Sequence, residues 1–280
     1  MEFFTKFKND FILCFIDDSK WKWLWDGLKN TMIITFFALL IGLAIGVVIA
    51  TIRSTFDKNR EEYRKKGGIF YFLWFVVNSI CNIYLTVVRG TPVVVQLLIA
   101  YFIIFASSRN GVAVAIFAFG LNSGAYVSEI IRGGIMSIDD GQTEAGRSLG
   151  FTYMQTMVFI ILPQAFKAVL PALANEFIVL LKETSVAGYV ALKDLTYVGN
   201  LIRSRTYEAF FPLITIALIY IVFFLQTNKT REGSSEDIRL INKAKKIKGH
   251  SVPLFFYRTY RKIARNCKML PITTKIWNMQ

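Results

Sequence analysis

The residues of this chain best equipped for chemistry sit where ionisable groups are least expected. One long apolar run contains Asn122, Ser123, Tyr126, Ser128 and Glu129, and another contains Asn175, Glu176, Lys182, Glu183, Thr184 and Ser185. Polar groups at membrane depth are costly and usually face a bundle interior or water, so they are candidates for a solute path. Simpler readings exist for several. Glu129 and Arg132 stand three apart and suit a helix-end pair. Lys182 and Glu183 suit an outer interface where they pair with neighbours, and Arg89 with Thr91 and Pro92 suits an inner helix start. Bond-making chemistry has little to work with. The single histidine, His250, lies in a basic tail, and Cys14, Cys81 and Cys267 are scattered. That excludes a multi-histidine metal centre, a histidine triad and a disulfide framework. No Gly-x4-Gly-Lys-Ser/Thr loop is present, so the chain binds no ATP by that route.

The elements that must position these residues are membrane helices. The chain has 280 residues, 54% of them hydrophobic, too apolar for an ordinary soluble domain. The apolar residues come in continuous runs of about 20, the length of a spanning helix, and not in the short alternating segments of a barrel. The fold class is therefore all-α integral membrane. The net charge of +14 is concentrated in the last fifty residues and does not point to nucleic acid. Basic clusters in a membrane protein mark the cytoplasmic side and favour anionic head groups.

The first span is Thr31 to Ile52, with Gly42-x-x-x-Gly46 as a surface for close helix approach. The following "RSTFDKNREEYRKK" is strongly basic, so it reads as cytoplasmic. The N-terminus is then outside, with "WKWLW" as an outer interfacial anchor. Parity between this loop and residues 139–150 allows one crossing in 69–105. It divides into an interfacial helix near 69–84 and a span near 86–106 whose inner end carries Arg89. Further spans cover Val112–Ile131, roughly Ala165–Val190 with a kink at Pro171, and Phe210–Leu225. The total is five, and the C-terminus is inside. The layout is an external or interfacial segment 1–28, a transmembrane unit 29–226 and a basic cytoplasmic tail 227–280.

Between two spans lies "DDGQTEAGRSLGFTYMQTMVFIILP". Asp139 and Asp140 can cap a helix, and Gly150 suits its stop. The helix between them is too polar to span. Ala145, Gly146 and Ser148 are small enough for another surface to approach, and Glu144 and Arg147 can pair with each other or with a partner.

This segment resembles the cytoplasmic coupling loop of permease subunits in bacterial ATP-binding-cassette importers. The pattern is Glu-Ala-Ala, three residues, Gly, nine residues, Ile, one residue, Leu-Pro. Glu144, Ala145, Gly150, Ile160, Leu162 and Pro163 match in register, with Gly146 in place of the third residue and Arg147 within the loop. "VVRGTPVVVQLLIAYF", "GAYVSEIIRGGI" and "NEFIVLLKETSVAGYV" resemble the polar amino-acid branch, and the likeness covers about residues 25–226. The resemblance implies the five-helix core of a type I importer with a short coupling helix in the bacterial inner membrane. It implies a second permease, two cassette ATPases that use ATP and magnesium, and an extracytoplasmic amino-acid-binding protein. No cofactor is expected in this chain. An amino-acid zwitterion would need both signs of charge along the path: Glu129 or Glu183 for the ammonium, Lys182 or Arg89 for the carboxylate. Asn122, Tyr126 and Asn175 complete the candidate path. The competing reading is a self-sufficient secondary transporter or channel, which would need no coupling helix. An intramembrane enzyme would need converging catalytic groups that the chain lacks.

The resemblance stops after the last span. Family members end soon after it in a basic helix rich in Glu-Arg-Arg, whereas this chain continues to Gln280 without a clear period. Two readings stand: an accessory tail that binds lipid or a partner, or a shifted reading frame from about Thr230.

Overall fold

A computed structural model describes residues 2–108 and 110–247, so most of the atypical tail lies outside the described residues. These residues form helices and connecting turns, with no strand among them. Helix α1 (Glu2–Phe11) leads through a π turn and the turn Asp17–Ser19 into α2 (Lys20–Lys66). Asp18 and Ser19 take positive φ there, which ends one helix and starts the next. The 47 residues of α2 extend the apolar run at both ends, to about 70 Å at 1.5 Å per residue. Then come α3 (Gly68–Gly90), α4 (Val93–Ile99), α5 (Gly111–Met136) and the polar α6 (Asp140–Ser148). The chain closes with α7 (Tyr153–Thr156), α8 (Leu162–Glu183), α9 (Leu195–Thr206) and α10 (Phe210–Ile247).

Five helical stretches are long and apolar enough to cross a membrane: Phe4–Lys58, Tyr71–Gly90, Gly111–Met136, Tyr153–Val190 and Phe210–Lys229. The expected number holds, but two segments are divided differently. Helix α3 runs without a break through residue 85 to Gly90, and the break falls at Thr91–Pro92. Proline forces the preceding residue extended, and Thr91 sits at φ −115°, ψ 142°. The side-chain amide of Gln96 donates to the carbonyls of Val88 (2.7 Å) and Thr91 (3.1 Å), satisfying acceptors that the break leaves open. The short α4 and a π turn to Ile104 occupy the stretch expected to hold a span from 86 to 106. The second difference is that the fourth stretch begins at Tyr153, well before residue 165. It passes through a π turn (Met157–Ile161), and Pro163 stands in the first turn of α8. Proline is tolerated there because the first amides of a helix need no partner within it.

The core is built around α5. Ile34 and Ala38 of α2, Leu97 of α4, Ala115 and Phe119 of α5 and Leu180 of α8 form its main cluster. Two glycine pairs set the distance between α2 and α5. A Cβ on Gly42 would stand 2.8 Å from the Ser123 hydroxyl, and one on Gly46 would stand 2.6 Å from Val127 Cγ1. Gly120 and Gly124 receive Ile41 and Ile45 in return. Small residues on both faces allow the backbones to approach, which is how helices associate where burial from water supplies little.

Candidate functional site

Two sites emerge, one built on the polar helix α6 between two spanning stretches, one on a polar face within them. The first is the hairpin from α6 to α8. Asp139 caps α6, its Oδ1 accepting from the Gly141 amide at 2.6 Å. At the other end Gly150 takes φ +82°. The Phe151 amide donates to the Gly146 carbonyl (3.1 Å) and the Gly150 amide to the Arg147 carbonyl (2.9 Å). These two bonds close a Schellman motif, so the helix has a fixed start and stop. Thr152 then opens α7 with a capping box, its hydroxyl accepting from the Gln155 amide while Gln155 accepts from the Thr152 amide. Thr-x-x-Gln is the sequence signal for this second start, and it lies inside the segment already marked by the coupling-loop pattern.

The hairpin closes on Gly146, which is buried although the rest of its helix is polar. A Cβ there would lie 2.7 Å from Thr156 Cγ2 and 2.9 Å from Ile160 Cδ1. Ile160 is itself buried, and Leu162 packs with Ile135, Met157, Ile161 and Ala165 under the end of α5. Gln164 donates to Gln142 across the hairpin at 3.3 Å. Thus Gly146, Ile160 and Leu162 form the inner, structural side of the motif, and Pro163 is half-buried beside them. Glu144, Ala145, Arg147 and Gly150 are exposed. Glu144 and Arg147 form no ion pair with each other, so that sequence option is not taken up.

At membrane depth, α5 and α8 bring two carboxyl groups onto one polar face. The Ser123 hydroxyl donates to Glu176 Oε1 at 3.0 Å, and Asn122 Nδ2 donates to Glu183 Oε2 at 3.3 Å. Asn122, Ser123 and Glu176 are buried, Glu183 partly so. Residues 176 and 183 lie seven apart and share one helix face. Neither carboxyl group has a cationic partner among the described residues.

The other candidates separate from this face. Glu129 is held by Arg53, and also by Arg132, whose Nη2 donates to it at 3.0 Å. Tyr126 is exposed beneath the Arg89 guanidinium, 5.7 Å from its ring centre. Lys182 is exposed and lies 5.9 Å over the Phe224 ring, pointing away from the Glu183 cluster. Asn175 is exposed. Arg53 does not stand out in the sequence, because the first basic residue after a span looks like any interfacial anchor.

The chain as a whole is similar to known proteins. Residues 70–228 match the family described as the binding-protein-dependent transport system inner membrane component. The chain is 38% identical over 204 residues to the arginine transport system permease protein ArtQ of Bacillus subtilis, covering 71% of this chain and 85% of that one. It is 33% identical over 214 residues to the L-cystine transport system permease protein TcyB of the same organism, covering 75% and 84%. A solved amino acid ABC transporter with histidines superposes with a TM-score of 0.65 at 38% identity, over 78% of this chain and 95% of that chain. The MetNI methionine transporter in an inward-facing conformation, 19% identical, shares the fold with a TM-score of 0.56 over 76% and 94%. With the capped polar hairpin set between membrane-spanning helices, these likenesses settle the family: the chain belongs to the binding-protein-dependent transport system inner membrane components and is a multi-pass permease subunit of an ABC transporter.

Proposed function

We propose that this permease imports a polar amino acid, driven by separate cassette ATPases that dock on α6. The observation that carries the reading is the two-sidedness of that helix. One face is locked to Thr156 and Ile160 through Gly146, while Glu144, Ala145 and Arg147 stand exposed on the other. A rigid helix with an exposed charged edge suits a docking lever. ATP, with magnesium, would draw two ATPases together, and α6 would carry the motion through the hairpin into α8. ATP binding must favour one arrangement of the spans through differential contacts.

The transported solute would pass the Asn122–Ser123–Glu176–Glu183 face. Glu129 is already neutralised by two arginines, which leaves Glu176 and Glu183 to meet an ammonium or another cationic group. Relatives named for arginine, glutamine and cystine transport support an amino-acid substrate. The assembly would include a second permease, identical or not, an extracytoplasmic amino-acid-binding protein and the bilayer of a bacterial inner membrane. The N-terminus would lie outside and the C-terminus inside.

The test is affinity purification of this chain from its native membrane in mild detergent, with mass spectrometry of what accompanies it. A cassette ATPase should co-purify with the wild type and be lost with Glu144→Lys, while the chain stays in the membrane. If no ATPase appears under conditions that preserve other membrane complexes, the docking reading of α6 fails, and a self-sufficient secondary transporter or channel becomes the reading to test. The same spectra would show whether peptides beyond Thr230 exist.

A further inference from the structure

Resting on α6 as the ATPase-docking helix, we propose that the inner extension of α2, residues 53–66, moves with α6 as part of the same lever. Asp57 and Lys58 are its positioning residues. Lys58 Nζ lies 3.3 Å from Oδ1 of Asp140, the first residue of α6. Asp57 Oδ2 lies 3.6 Å from Arg132 Nη1 near the end of α5. Arg132 also holds Glu129, which in turn binds Arg53. Charges therefore alternate along Arg53, Glu129, Arg132 and Asp57, a ladder between α2 and α5. Lys58 adds a rung to α6. Residues 53 and 57 are one turn apart on α2, and 129 and 132 one turn apart on α5, so each helix presents its rungs on one face.

An isolated exposed ion pair contributes little, and Asp140 is itself largely exposed. Two features make this set more than that. The Lys58 side chain is only 14% exposed, and the first turn of the extension is packed against the protein, with Ser54 and Phe56 buried, while Arg60, Glu61, Arg64 and Lys65 beyond it are exposed. The charges also act as a network and not as separate pairs. Helix α6 thus has two attachments, through Gly146 to the α7–α8 side and through Asp140 to α2. The second matters because α2 is one helix without an interior proline. Its far end fits Gly27 against the Asp194 carbonyl, 3.0 Å from where a Cβ would stand. A displacement of α6 would then reach the opposite end of the protein along α2.

The test uses the complex purified with its ATPase, in a background with Cys14, Cys81 and Cys267 replaced. Spin labels go on the exposed positions Arg60→Cys, Ser148→Cys and Leu213→Cys. Distances are read without nucleotide and after trapping with ATP and vanadate. The 148–213 distance should shift on trapping while the 60–148 distance stays fixed. Lys58→Glu should broaden the 60–148 distribution, and adding Asp140→Lys should narrow it again. A 60–148 distance that shifts on trapping with native charges overturns the proposal but leaves α6 docking intact. A Lys58→Glu variant with unchanged distances removes the positioning role. If no ATPase co-purifies and 148–213 does not move, the docking reading fails and takes this proposal with it.

Discussion

Gly146 and Thr156 lie so close that a single added methyl at 146 would stand 2.7 Å from the threonine Cγ2 and 2.8 Å from its hydroxyl. Both residues are buried, and their contact fixes α6 against the turn that leads into α8. The polar hairpin is therefore a single packed unit, as the proposed docking role of α6 requires.

Gly146→Val should destabilise this unit by about 1–3 kcal/mol, the usual cost of overpacking a close contact. The chain should still insert, because residue 146 lies outside the apolar stretches and their sequences are unchanged. Thermal unfolding in detergent should show a lowered midpoint, and the purified complex should retain less ATPase. Gly146→Ala should cost less than Gly146→Val, because its lone Cβ meets only the Thr156 side chain and the tip of Ile160.

Glu176→Gln and Glu183→Gln each keep a hydrogen-bond acceptor but remove an ionisable carboxyl group from the polar face of α8. Uptake of cationic amino acids should fall more than uptake of neutral ones, while ATPase co-purification is unchanged. Radiolabelled uptake in cells producing each variant decides this. Equal uptake of all substrates by both variants would move the solute path elsewhere.

Glu129→Gln should behave differently. It leaves Arg53 and Arg132 facing each other without their shared carboxylate. The groups are partly exposed, so the loss should be on the order of 1–2 kcal/mol, below that of a fully buried pair. A lower unfolding midpoint without altered substrate preference is expected, and a change in preference alone would return Glu129 to the path.

Asp194 gives the protein a pH response outside its spans. It is fully buried and caps α9, accepting from the amides of Thr196 (2.8 Å) and Tyr197 (3.2 Å). Burial raises its carboxyl from 3.8 to about 6, against the lowering effect of those amides. The folded protein therefore takes up this proton at higher pH than the unfolded chain. Acidification from about pH 7 to about pH 4 should add stability from this group, on the order of 2 kcal/mol, which is lost again as pH rises through the folded value. Asp194→Asn keeps an N-cap and should flatten this part of the profile, measured by thermal unfolding across that range.

What the sequence determined by itself is whatever depends on neighbours a few residues apart. The apolar runs specified membrane helices because length and hydropathy alone make a helix fit a bilayer. Asp139 and Gly150 delimited α6 because a cap bonds amides within its own turn and a left-handed stop needs only glycine. The same local chemistry is present in Pro92, yet counting crossings places the break several residues too early. Tertiary structure decided which groups are partnered. Gly42 and Gly46 are visible as a packing surface, but α5 becomes their partner only when Gly120 and Gly124 meet them from the other side. Glu129, Glu176 and Glu183 look alike along the chain. Folding brings Arg53 to Glu129 from 76 residues away and brings only neutral donors, Ser123 and Asn122, to the other two. The strength of an ion pair depends on the distance and dielectric between two side chains, and no local pattern encodes either.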